Sequence, residues 1–290
     1  MRHVPVQLTA PLQQPPAAGN PGFLSAKMLA SGSSGNCLLV RSATTTLLID
    51  LGLPARTVAA FLESREIPPA SVEAILLSHE HTDHLVGLGT FARKYQVPVV
   101  AEAQTLAAAR SAVGRLPART LARGSTITLG DCEVSAFPVP HDAAAPAGFL
   151  IRSGGWTIAY CVDLGSADET LVEPLRQADL VVLEANHDYD ALRAGPYTPS
   201  LKARILSPFG HLSNLEAGWL IAASASSRPR TVWLAHLSAV NNSPRLALRV
   251  VGGLLKREGV SGVRLETAAR DRPSLHWSSH AVGWQLPLVV

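Results

Sequence analysis

The sequence predicts an α/β fold in which β-sheets are covered by helices. Two observations predict it. Short apolar runs of strand length recur along the chain, and several end in a polar residue: Asp50, His79, Asp163, Glu184 and His236. Between them lie stretches with apolar residues at helical spacing, the pattern of surface helices packed on a sheet. The densest polar cluster, Ser78-His79-Glu80-His81-Thr82-Asp83-His84, directly follows the apolar run Ala74-Ile75-Leu76-Leu77. A buried strand therefore delivers a polar loop at its C-terminal end.

Taken in order, Phe23 to Ala30 and Cys37 to Val40 read as strands flanking the turn Ser31-Gly32-Ser33-Ser34-Gly35-Asn36. Thr44 to Ile49 is a strand ending at Asp50, and Gly52 breaks it. Arg56 to Arg65 has helical spacing and is stopped by Pro68-Pro69. Ile75 to Leu77 is the strand ahead of the histidine loop, followed by a helix over Leu85 to Tyr95, a short strand Val97 to Val100 and a helix Gln104 to Val113. The second half opens with two hairpins, one turning at Gly130-Asp131 and the other at Ser153-Gly154-Gly155. Leu180 to Glu184, Thr231 to Ala235 and Val263 to Thr267 are further strands, and Leu201 to Leu206, Asn214 to Ser224 and Pro244 to Arg257 are helices. Residues 1–22, rich in proline, read as a disordered tail, 23–270 as the folded domain and 271–290 as a C-terminal extension.

Bulk properties exclude some classes of protein. A length of 290 residues with 47% hydrophobic content suits one large domain or two small ones with a sizeable core. A net charge of +3 permits an anionic substrate without demanding one. No run of about eighteen apolar residues predicts a membrane span, and the N-terminus does not read as a secretory signal. Cys37, Cys132 and Cys161 are scattered and form no Cys-x-x-Cys, which suits a cytoplasmic location and argues against a disulfide framework or a thiolate zinc site.

The histidine cluster is the strongest chemical signal. Three histidines and an aspartate fall within six positions in a chain with ten histidines. A solvated turn is the bland explanation, and the improbability of three histidines clustering by chance argues against it. Imidazole and carboxylate are metal ligands. An extended backbone aims His79 and His81 the same way, leaving Asp83 and His84 to turn toward a second metal. Further candidates follow strands in order: His141, Asp163 and His236. His3, His276 and His280 lie outside this constellation.

Together these residues resemble the metallo-β-lactamase fold superfamily over roughly residues 24–270, with His79-x-His81-x-Asp83-His84 as the most specific motif. The resemblance implies an αββα sandwich of two mixed sheets flanked by helices. It implies that His79, His81 and His141 hold one metal, that Asp83, His84 and His236 hold another, and that Asp163 bridges them. Asp50 matches the position that braces the metal loop, or is a turn-capping aspartate. The chain is more closely similar to the YycJ-like (WalJ) branch, through Ser31-Gly32-Ser33-Ser34-Gly35-Asn36-Cys37, His141-Asp142, Glu184-Ala185-Asn186-His187-Asp188, Gly195-Pro196-Tyr197, Gly210-His211-Leu212-Ser213-Asn214 and His236-Leu237-Ser238. That branch implies a DNA exonuclease associated with repair. The segments around His211 and His236 are also similar to those of the tRNA 3′-processing endonuclease branch, which implies His211 as proton donor held by Glu184.

Two divalent cations, Zn or Mn with Fe also compatible, would generate the nucleophile from a bridging water, with Asp83 among the catalytic residues. His211 is otherwise a residue at a helix N-terminus, and both readings are compatible. Ser33 and Asn36 in the glycine-rich loop, with Asn214, are the candidate substrate contacts; the loop is equally readable as a hairpin turn. His187 is a candidate support behind the ligands. Arg193, Tyr197, Lys202 and Arg204 form a basic stretch that either meets a nucleic-acid backbone or is a solvated helix face. The interval between Asp163 and His236 leaves no room for the large inserted domain of β-CASP nucleases, and no separate arm for tRNA is visible. The leading expectation is a dinuclear nuclease acting on DNA. The alternatives are a small-molecule hydrolase (thioesterase, lactonase or cyclic-phosphate diesterase), a tRNA-processing endonuclease or a non-catalytic module.

Overall fold

The computed structural model describes residues 22–282. The proline-rich tail expected at the N-terminus, apart from Gly22, lies outside the described residues. The strands are β1 (Leu24–Ala30), β2 (Cys37–Ser42), β3 (Thr46–Ile49), β4 (Ala74–Leu76), β5 (Val99–Ala101), β6 (Ala118–Thr120), β7 (Thr126–Leu129), β8 (Cys132–Pro138), β9 (Ala147–Ser153), β10 (Trp156–Cys161), β11 (Leu180–Glu184), β12 (Arg230–Ala235), β13 (Val263–Thr267) and β14 (His276–Ser278). The helices are α1 (Ala55–Glu63), α2 (Thr82–Leu85), α3 (Leu88–Tyr95), α4 (Ala103–Val113), α5 (Val172–Arg176), α6 (Tyr189–Ala194), α7 (Pro199–Ile205), α8 (Asn214–Ala223), α9 (Pro244–Arg257) and α10 (Ser279–Val282).

The strands form two seven-stranded sheets, β14-β1-β2-β3-β4-β5-β6 and β13-β12-β11-β10-β9-β8-β7. Both are mixed. In the first, β1, β2, β3 and β14 pair antiparallel, and β3 to β6 pair parallel. In the second, β7 to β10 are antiparallel and β10 to β13 parallel.

Alternation along the strands decides which side chains meet. Leu47 and Ile49 of β3 join Ile158 and Tyr160 of β10 in the core between the sheets, while Leu48 points outward to pack with Val58 and Leu62 of α1 and Phe91 of α3. Outside the second sheet, Val181 and Leu183 of β11 and Val232 and Leu234 of β12 pack with Leu220 of α8 and Val251 of α9. Strands buried on both faces need no polar alternation, which explains the unbroken apolar runs in the sequence. The layers are therefore helix, sheet, sheet, helix. Among the described residues, no helix is long and apolar enough to cross a membrane.

Three differences from the sequence reading have physical causes. The helix expected over Leu85 to Tyr95 is broken at Gly87, where an added Cβ would lie 2.2 Å from the Leu53 carbonyl oxygen, so α2 and α3 are separate. The edge strand β6 is short and largely exposed, which gives it no apolar signature. The segment set apart as an extension after 270 supplies β14, which pairs with β1 and buries Trp277 between the sheets.

Candidate metal centre

The parallel strands place their C-terminal ends along one crevice, where ligands of α/β sheets gather. Asp50 follows β3, Ser78 and His79 follow β4, Asp163 follows β10, Glu184 ends β11 and His236 follows β12. Asp50, Asp163 and His236 all adopt left-handed backbone, with φ of 55°, 57° and 51°. Three such non-glycine residues at strand ends in one crevice mark a site where local strain is tolerated for a purpose.

The residues singled out in sequence converge there. Ligand atoms of His79, His81 and His141 all lie within 4.8 Å of one another, as do those of His79, His84 and Asp163. His141 Nε2 is 3.3 Å from His81 Nδ1. Asp83 Oδ2 lies 3.6 Å from His84 Nε2 and 3.5 Å from His236 Nε2. Asp163 stands between the two groups, with Oδ2 at 3.0 Å from His84 Nε2 and 4.0 Å from His79 Nε2. His79 Nε2, Asp163 Oδ2 and His236 Nε2 are buried without a hydrogen-bond partner. Orphaned polar atoms of this kind, aimed at one another in a nitrogen and oxygen donor set, fit divalent cations. The cysteines supply no thiolate: all three are buried, and burial pushes the Cys37 and Cys161 thiols up.

Behind these residues stands a polar frame. Asp50, fully buried, accepts from Ser78 N–H at 2.8 Å, Tyr160 O–H at 2.9 Å and His84 Nδ1–H at 2.8 Å. It thereby ties both ends of the histidine loop to the second sheet, through a Tyr160 partner that sequence reading missed. The signal was available: Tyr160 alternates with Ile158 toward the core, and a buried tyrosine hydroxyl needs an acceptor. Ser31 was also missed; its Oγ accepts the His236 backbone N–H at 2.9 Å.

Glu184 is fully buried and shared. Its Oε1 accepts from His211 Nδ1 at 2.9 Å and His236 Nδ1 at 2.8 Å. Its Oε2 accepts the backbone N–H of Leu164 and of Leu212. Burial works against the carboxylate, but the His211 charge and the hydrogen bonds outweigh it and lower Glu184 to about 2. Burial likewise resists a charged His211, and Glu184 and Asp163 overcome it, raising the imidazole to about 9. For His84 burial is again overcome, here by Asp50 and Asp163, which raise it to about 10. His79 goes the other way, held well below the usual imidazole value by burial and then by the neighbouring His84 charge; burial also lowers His141. Neutral imidazole is the form that ligates metals.

The expected substrate contacts fare differently. Ser33 is exposed. Asn36 is turned inward, its amide nitrogen lying 3.2 Å from Asp83 Oδ2 and 3.1 Å from His84 Nε2 while its oxygen accepts the Gly32 N–H. Asn214 is also buried and exchanges amide hydrogen bonds with Asn242. Both amides are thus engaged in hydrogen bonds that hold the loops in place. The His187 ring is buried with neither nitrogen hydrogen-bonded, and its carbonyl accepts the Asn214 N–H at 2.8 Å. In the basic stretch, Arg204 pairs with Asp142 at 2.8 Å, next to His141, and Lys202 donates to the Arg193 carbonyl.

Residues 45–237 match the family model of the beta-lactamase superfamily domain. The chain belongs to the metallo-β-lactamase superfamily. Within it the chain falls in the YycJ/WalJ-like branch. It is 37% identical over 235 residues to Exodeoxyribonuclease YycJ of Bacillus anthracis, covering 80% of this chain and 89% of that protein. It is 35% identical over 225 residues to Exodeoxyribonuclease WalJ of Streptococcus pneumoniae, covering 76% and 84%. Among solved structures, the metallo-β-lactamase fold protein YhfI from Bacillus subtilis superposes with a TM-score of 0.69 at 18% identity, over 89% of this chain and all (100%) of that one, which speaks to the fold alone. As a member of this hydrolytic superfamily with a His/Asp metal-binding group, the chain is an enzyme, a metal-dependent hydrolase.

Proposed function

We propose that this hydrolase is an exodeoxyribonuclease that cleaves phosphodiester bonds with two divalent cations, zinc or manganese being the best suited, in the cytoplasm. The observation that carries the reading is the Glu184–His211 pair at the edge of the ligand cluster. A phosphodiester releases an alkoxide, which needs a proton; a thioester leaving group hardly does. The similarity to two exodeoxyribonucleases supports DNA as the substrate.

His79, His81 and His141 would hold one cation and Asp83, His84 and His236 the other, with Asp163 between them. When bound, a cation pair supplies a water made acidic enough to attack at neutral pH and offsets the charge of the phosphate. The chain's own residues do the rest. Glu184 engages His211 Nδ1, so the proton on Nε2 is the one free to leave, on a side chain 22% exposed to the crevice. His211 gives that proton to the departing oxygen. Leu212 N–H and Leu164 N–H hold Glu184 in place, so the acid is oriented from the backbone of two loops. Asp50 keeps the His84 ring aimed inward.

The test is a substrate panel beside metal analysis on one preparation. End-labelled duplex DNA with Mn²⁺ should be shortened stepwise, with two metals bound per chain. His81→Ala and Asp83→Ala should abolish shortening and lose metal. Rapid thioester or lactone cleavage without nucleotide release would overturn the nuclease reading and leave a small-molecule hydrolase.

A further inference from the structure

We propose that the outer face of the first sheet carries a second binding site, for a phosphate group, in the cavity walled by Lys27, Arg41, Arg65 and His276. It lies apart from the metal centre and does not rest on the nuclease reading.

The cavity has a volume of about 390 Å³. Strand register builds it. Along β1, Leu24, Ala26 and Met28 point to the core, so Ser25 and Lys27 point outward. Opposite Ser25 stands Arg41 of β2. Opposite Lys27 stand Leu39 of β2 on one side and His276 of β14 on the other. Arg65, just past α1, closes the wall, its guanidinium stacked 3.7 Å over the Phe61 ring. The crevice is reached at the far end of β1, where Ser31 meets His236. Four residue steps of extended chain lead from Lys27 to Ser31, about 13 Å.

Three fixed cations and an imidazole share this cavity, and no carboxylate lines it. The Arg41 guanidinium has no hydrogen-bond or ion-pair partner among the described residues. Lys27 Nζ donates to the Ser274 carbonyl at 2.8 Å, leaving two of its three donors unassigned. The repulsion is visible in the groups themselves. Burial and then Arg65 hold the Lys27 amine below the usual lysine value, and burial and then Lys27 lower the His276 imidazole. Like charges gathered in a concavity without a counter-charge are resolved by a bound anion. The open Arg41 fork, beside the Lys27 ammonium and the Arg65 guanidinium, whose Nη1 also donates to Ser64 Oγ at 3.0 Å, matches the tetrahedral oxygens of a phosphate better than a single carboxylate. The volume falls near the lower bound for ligand cavities, about 300 Å³, which admits a phosphate with a nucleoside attached.

The phosphate can come from a free phosphorylated small molecule or from a nucleic-acid backbone, and one experiment separates them. The full chain, loaded with its cations, is titrated with inorganic phosphate while histidine ring signals are followed by NMR; His276→Gln assigns the reporter. The His276 signal should move and saturate with a Kd of about 1 mM or below. Arg41→Gln and Arg65→Gln should each weaken that response by about tenfold. Phosphate taken up at the metal centre would move other histidines and leave His276 still. Duplex DNA is then tested on the same proteins. If DNA also moves His276, and Arg41→Gln lowers the salt slope of DNA affinity by about one, the backbone is the source; if DNA does neither, a free ligand is. A His276 signal that stays fixed up to about 10 mM phosphate, or that moves in both arginine variants as readily as in the wild type, overturns the site.

Discussion

Glu184 does two jobs with one oxygen. Its Oε1 meets both His236, a proposed ligand, and His211, the proposed acid. Replacing His211 removes one partner without touching a ligand nitrogen. His211→Ala should therefore lower kcat on DNA by about 10²–10⁴-fold while metal per chain stays at the wild-type value; loss of metal in the purified variant would show that His211 is a ligand and not the acid. Tyr160 makes the complementary case. Its hydroxyl is one of the donors satisfying Asp50, inside the core. Tyr160→Phe should cost about 1–3 kcal/mol in urea unfolding and weaken metal affinity about 10–100-fold, because an under-satisfied Asp50 no longer fixes the His84 ring. Unchanged metal affinity in a less stable variant would confine Tyr160 to a packing role.

At the scale of elements, the turn after β3 is the tightest point. A Cβ on Gly52 would lie 1.7 Å from the Asp83 carbonyl oxygen. Gly52→Ala must push α2 away from β3, and should destabilise the chain by about 1–3 kcal/mol while depleting the Asp83 and His84 side of the centre of metal. At the other end of the chain, β14 buries Trp277 to 5% exposure against Trp156. Trp277→Ala should cost about 3–5 kcal/mol by thermal or urea unfolding, and a chain cut after residue 270 should be less stable still. No effect of either change would return that segment to the status of an appendage. These elements also show what sequence makes legible. The strands β11 and β13 and the helix α9 are readable to the residue, because long apolar or amphipathic runs with clear ends leave one interpretation. The strand β14 is three residues long and carries a single buried side chain, too little for any periodicity. The break at Gly87 depends on the Leu53 carbonyl, a contact between segments that no local pattern encodes. The clustering of the candidate ligands was legible because histidine and aspartate at strand ends are rare without a reason. The partners of Asn36 and Asn214 were not legible, because a small amide beside a site can face it or brace it, and only packing decides.

Across the whole molecule, Asp131 joins the two sheets. It sits in the turn between β7 and β8, and its carboxylate accepts from Ser42 and from Thr45, at 2.5 Å, in the turn between β2 and β3. Partial burial opposes the charge, and the hydroxyl bonds from Ser42 and Thr45 outweigh it, lowering the group to about 2. The folded value lies below the unfolded one, so the contribution is present above about pH 4 and fades as the pH falls through about 2. Asp131→Asn should lower Tm at pH 7, by the equivalent of about 1 kcal/mol because the turn is open to solvent, and the gap to wild type should close on acidification. A gap independent of pH would assign the effect to turn geometry instead.

The left-handed backbone at Asp50, Asp163 and His236 has an evolutionary reading. Glycine would relax all three positions, each by about 1 kcal/mol, so drift unchecked by selection would move them that way. An acid or imidazole at each of these positions therefore carries a cost in stability that glycine would not, and only a use for the side chain in the crevice offsets it. A descendant that had abandoned hydrolysis would announce it first by glycines at 50, 163 and 236, well before its sheets or helices had changed.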